Sequence, residues 1–186
     1  MYVNRKWLGN MKNNIKMILV SSSVIIIMGI LITILPWFKE THNSNILFVA
    51  MFISAGMNLI QFILDKKFEK WKLLNISTCI IVCLLCLILG NKKISDIYPF
   101  VFIVWVSFNC IIKLLELDYL HDNYAKNFNI FAFTSIIFFV LGITTTISLY
   151  FNEVTSTFVL GYFFIVYGIL NITEEYSKIK LSGSKK

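Results

Sequence analysis

The stretch that decides the fold is Phe48 to Leu64, FVAMFISAGMNLIQFIL, an uncharged run in which a small residue, Gly56, is followed by an amide, Asn58. Two later segments repeat the plan, Val101 to Leu117 (VFIVWVSFNCIIKLLEL) and Phe158 to Thr173 (FVLGYFFIVYGILNIT). Gly56, Ser107 and Gly168 take equivalent places, each followed two or three residues later by Asn58, Asn109 or Asn171. Another apolar run precedes each of the three, so the chain reads as three repeated helical hairpins.

Hydrophobic residues make up 58% of the 186 and charged residues 15%, against roughly half and a quarter in a soluble globular domain. With the charges gathered in short clusters between the apolar runs, that balance reads as an all-α integral membrane protein whose principal partner is the lipid bilayer. Transmembrane strands would alternate over about ten residues, and these runs do not. The formal charge of +7 lies at the ends of the runs, where basic residues track lipid topology rather than nucleic acid.

The runs are Met17 to Phe38, Ile46 to Leu64, Leu73 to Gly90, Tyr98 to Leu117, Phe128 to Phe151 and Val154 to Ile172. At a rise of about 1.5 Å per residue, each is long enough for a hydrocarbon core of about 30 Å. The chain therefore divides into a basic amino terminus (1–16), a six-helix transmembrane region (17–172) and a basic tail (173–186). Of its 17 Lys and Arg residues, only Lys39, Lys92 and Lys93 fall in the loops after the odd helices. That bias predicts both termini in the cytoplasm. Short connections after the odd helices (39–45, 91–97 and 152–153) predict antiparallel pairs 1/2, 3/4 and 5/6. The odd helices echo one another too, Ile27-Met28-Gly29-Ile30 matching Val140-Leu141-Gly142-Ile143.

Taken together, several features carry a family resemblance. They are Gly29-Ile30 running to Pro36, Ser54-Ala55-Gly56-Met57-Asn58-Leu59-Ile60-Gln61, Trp71 in a short basic loop, Tyr98-Pro99 opening the fourth run, and Gly142-Ile143 in the fifth. In them the chain resembles the HdeD-like family of bacterial acid-resistance membrane proteins, from Ser21 to Glu174. It departs at Asn75, where members usually carry Gly after the Trp, and in lacking a Pro after the fifth helix. The resemblance implies a six-span protein of the bacterial plasma membrane that serves in acid or envelope-stress tolerance. It brings no enzymatic activity and no cofactor.

The candidate site residues are the polar groups in the inner halves of the spans: Asn58, Gln61, Asn109, Lys113, Glu116 and Asn171. They would line a polar pathway or, the reading preferred here, glue helices together at about 0.6 kcal/mol per hydrogen bond. Lys113 and Glu116 stand three apart on one helical face, as for an ion pair or a proton relay. Their place near the inner boundary favours a lysine that reaches the headgroups. Cys79, Cys83 and Cys86, at i, i+4 and i+7, would need Met28, Met51 or Met57 to hold Cu(I) or zinc, and read as apolar packing instead. His42, beside Glu40, is a candidate acid sensor, and His121 a loop residue.

No nucleophile elbow, zinc-protease motif, P-loop or dinucleotide fingerprint occurs, so no enzyme, metal or cofactor is expected. Two functions remain. One is a stress-tolerance protein that self-associates through Gly56, Ser107 and Gly168. The other is a small transporter or channel with its site near Asn58, Asn109 and Lys113.

Overall fold

The computed structural model describes residues 5–37, 43–64, 70–90, 97–123, 128–151 and 153–183. Among these the chain forms α1 (Arg5–Ile34), α2 (Asn43–Leu64), α3 (Lys70–Gly90), α4 (Ile97–Asn123), α5 (Phe128–Ser148) and α6 (Glu153–Gly183), with no strand. A 3₁₀ turn, Leu35–Trp37, ends α1 at Pro36, whose ring removes a backbone donor and disfavours the helical conformation just before it.

Four helices contain spans long and apolar enough to cross a bilayer: Leu19–Trp37, Tyr98–Leu117, Asn129–Ser148 and Val154–Glu174. The apolar stretches of α2 and α3 are shorter, Ile46–Ile60 and Leu73–Cys86, among the described residues. Large apolar side chains cover the outside of the bundle on every helix, Ile27, Phe52, Ile81, Phe108, Phe133 and Tyr162 among them. A surface of that kind is stable in lipid and not in water, and the chain is a membrane protein.

Each helix packs on its neighbours in the chain, and α1 closes the ring against α6. The extent of the seams differs from the hairpin expectation. Pairs joined by the short connections (α1/α2, α3/α4, α5/α6) are in contact, but the α2/α3, α4/α5 and α1/α6 seams are all broader. A short connection fixes which helix lies alongside; the side chains between two backbones decide how much surface they share.

Glycine decides it for α1/α6, the broadest seam. A Cβ on Gly29 would lie 2.7 Å from the Gly161 carbonyl oxygen, and one on Gly161 would lie 2.6 Å from Thr33 Cγ2. One on Gly168 would lie 2.6 Å from Ile26 Cγ1. Gly29 facing Gly161 while Ile26 faces Gly168 makes the pair antiparallel, so the start of α1 and the end of α6 emerge from the same end of the bundle, here called the terminal end. In the α4/α5 seam Gly142 meets Val106 in the same way. The two echoing glycines of the odd helices thus both face the preceding even helix around the ring.

Gly168 is consequently committed to α1 and does not present a face for self-association. Gly56, by contrast, has open space where its Cβ would be, and Ser107 is exposed. Gly29→Leu and Gly168→Leu should each destabilise the purified protein by roughly 1–3 kcal/mol through overpacking, lowering Tm by several degrees in detergent. Gly56→Leu should leave Tm unchanged within about one degree, since a substitution that meets nothing is close to neutral.

Candidate functional site

The centre of the bundle is filled by rings. Phe102 and Trp105 of α4, Phe138 of α5, and Phe163, Phe164 and Tyr167 of α6 are all buried. Trp105 has four aromatic neighbours, with centroids at 5.7 Å (Phe102), 6.1 Å (Phe138), 5.9 Å (Phe163) and 5.9 Å (Tyr167). Phe138 also meets Phe163 at 5.7 Å and Tyr167 at 5.4 Å, both tilted. Separations and tilts of this kind are the attractive ones for aromatic quadrupoles. α4 and α6 flank α5 in the ring, and these side chains span the space between them.

Toward the terminal end the interior becomes polar, because three helices each place polar residues at helical spacing. α6 carries Tyr167, Asn171 and Glu174 at i, i+4 and i+7; α4 carries Trp105, Asn109 and Lys113 at i, i+4 and i+8; α3 carries Asn75 and Cys79. Lys113 donates to the Glu174 carboxylate, an ion pair whose side chains are only 12% and 9% exposed. The Lys113 ammonium also lies 5.4 Å from the centroid of the Phe138 ring, within the range of a cation–π contact.

Tyr167 hydrogen-bonds with Asn171 on its own helix and with Asn75 on α3. The Cys79 thiol donates weakly to Asn75 Oδ1 at 3.8 Å. The Tyr167 hydroxyl thereby links α6 to α3, helices that are not neighbours in the ring.

The hydroxyl groups behave differently. Thr78 and Thr134 donate to backbone carbonyls three residues back, and Ser77, Thr173 and Ser177 to carbonyls four residues back. Thr144, Thr145 and Thr146 do the same along α5. Each satisfies its hydrogen within its own helix, as polar groups at membrane depth must. One buried side-chain atom, Ser54 Oγ, has no hydrogen-bond partner among the described residues.

The candidate residues therefore separate. Asn109 is buried and returns its amide to Trp105 O at 2.9 Å, whereas Asn171 joins Tyr167. Asn58 is half-buried on α2, and the side chain of Gln61 lies outside the described residues. Lys113 turns inward to Glu174, on another helix, instead of reaching for the headgroups, and Glu116 is partly exposed.

Glu174 escaped the sequence reading because it lies just past the apolar run. Its signal was the spacing from Tyr167 and Asn171, which places all three on one stripe of α6. Cys79, Cys83 and Cys86 are buried in the apolar core together with Met28 and Met51. Among the described residues no three His, Cys, Asp or Glu side chains converge as metal ligands. His42 lies outside the described residues, as does the side chain of His121.

No family model, curated protein or solved structure matches the chain. The Lys113–Glu174 pair gives the site a direct energetic test. Glu174→Ala leaves a buried ammonium without its counter-ion and should cost about 3 kcal/mol, read as a loss of Tm in detergent. The double variant Lys113→Met/Glu174→Met should recover most of that loss, because an apolar pair of similar volume removes both desolvation penalties.

Proposed function

We propose that the chain is a non-enzymatic, multi-pass protein of a bacterial plasma membrane, crossing it six times with both termini in the cytoplasm, and that it serves in acid or envelope-stress tolerance. The observation that carries the non-transporting part is the ring-filled centre, where Trp105 and its aromatic neighbours occupy the space a conduction path would need. Six spans are supported by α2 and α3, whose 22 and 21 residues rise roughly 30 Å each. The cytoplasmic placement of the terminal end is supported by its Lys and Arg residues. The stress role rests on the resemblance in sequence. Self-association through the even helices would use Gly56 and Ser107.

A second reading, a small transporter, is favoured by one observation: a buried ion pair and a cross-ring tyrosine at the terminal end, a type of intramembrane group that marks transport pathways in other proteins. Purified protein in vesicles loaded with a pH-sensitive dye should show no flux above protein-free vesicles under a proton or potassium gradient. A flux abolished by Lys113→Leu would replace the first reading with the second. A strain lacking the gene should lose viability in an acid challenge relative to its parent, and equal survival would remove the stress role while leaving the topology untouched. Reporters active only in the cytoplasm should signal at both termini.

A further inference from the structure

On the outside of the bundle, where the first turns of α5 run beside the last embedded turns of α6, lies a groove of about 490 Å³. That volume falls within the roughly 300–1,000 Å³ of ligand pockets. Polarity changes along its length. Asn129 and Thr173, both exposed, line it at the terminal end; Phe133 and Leu170 line it one turn deeper, and Ile137 deeper still. The hydroxyls on its walls are already spent, Thr134 on Phe131 O and Thr173 on Ile169 O, both at 3.0 Å. What the deep part offers a visitor is apolar contact.

The dimensions select the visitor. From Asn129 to Ile137 the helix rises roughly 12 Å, most of one leaflet's half of a hydrocarbon core about 30 Å thick. Its lining comes from two packed helices only, so the groove is a cleft that follows their seam. An extended hydrocarbon chain fits it. The polar end lies at the depth where a glycerol and headgroup would sit, and the apolar end points toward the bilayer midplane, which is the gradient of a phospholipid.

We propose that this α5/α6 groove is a lipid site that holds one acyl chain of a glycerophospholipid from the leaflet at the terminal end, with its polar part against Asn129 and Thr173. The proposal rests on the bundle being embedded in a membrane and on neither of the two functions above. The test uses the full-length protein in vesicles of phosphatidylethanolamine and phosphatidylglycerol containing a trace of phospholipid with a diazirine midway along one chain. After illumination, adducts are mapped by peptide mass spectrometry.

Adducts should concentrate several-fold on the groove segments of α5 and α6 relative to the equally exposed faces of α2 and α3. Thr173→Trp, which fills the mouth from an exposed position, should lower them several-fold, and Asn129→Trp serves if that variant does not fold. Ile147→Trp, an exposed position toward the other end of α5, should leave them unchanged. Adducts spread over all helices in proportion to exposure would overturn the site and leave the membrane reading standing. Protection of the groove by cross-links to a second copy would also overturn the site. No adducts on any helix would overturn both.

Discussion

The close approach of α1 and α6 is what the rest of the bundle depends on. In lipid, helices gain nothing by hiding apolar side chains from a solvent that is itself apolar, so association relies on fitted van der Waals contact and on polar groups that find partners. Gly29, Gly161 and Gly168 let the two backbones meet, with Ile26, Thr33 and Ile165 fitted into the space their missing side chains leave. That seam joins the first helix to the last, and without it the six helices would form an open row.

Closing the ring creates an interior that something must fill, and α5 with its two neighbours fills it with rings. Large rigid side chains suit this role because each adds much contact area at little cost in rotamer entropy. The aromatic layer also explains the setting of the ion pair. Lys113 sits over the face of Phe138 with Glu174 beside it, so the ammonium has a carboxylate and a ring quadrupole in place of water. Burial of an ion pair gives no stability by itself; what it supplies here is a specific pairing between α4 and α6, helices whose side chains meet across α5.

Much of this architecture was legible from the chain because lipid enforces a simple grammar. Six runs of apolar residues separated by polar connections became six helices, and the glycines of the Gly-Ile echoes in α1 and α5 lie where two helices approach closely. The seams were less legible. Gly29 and Gly142 could be matched to each other, but nothing in Ile27-Met28-Gly29-Ile30 says which helix the glycine meets, because on a helix apolar all round periodicity does not single out a face. The same limit hid the partner of Lys113. Glu116 was the nearest carboxylate in sequence, whereas Glu174 lies 61 residues away and becomes its partner only through the order of helices in the ring. The aromatic centre was hidden for a related reason: Phe52, Phe108 and Phe133 face outward and are chemically the same as the phenylalanines that fill the middle.

The three hairpins are alike in sequence plan and unequal in the structure, and the inequality centres on α6. Half of its span is buried, against about a third of each of the other three long spans. It carries both sides of the division between polar groups: its Thr173 and Ser177 hydroxyls fold back on its own carbonyls, while Tyr167 and Glu174 bond to α3 and α4. A hydroxyl can satisfy its single hydrogen within one helix and so carries no information about neighbours. A carboxylate, an ammonium or a phenol at the end of a long side chain reaches past its own backbone, and its partner then has to come from elsewhere in the fold. Through those two side chains α6 holds both α3 and α4, a role that the sequence plan shared by the three hairpins does not mark.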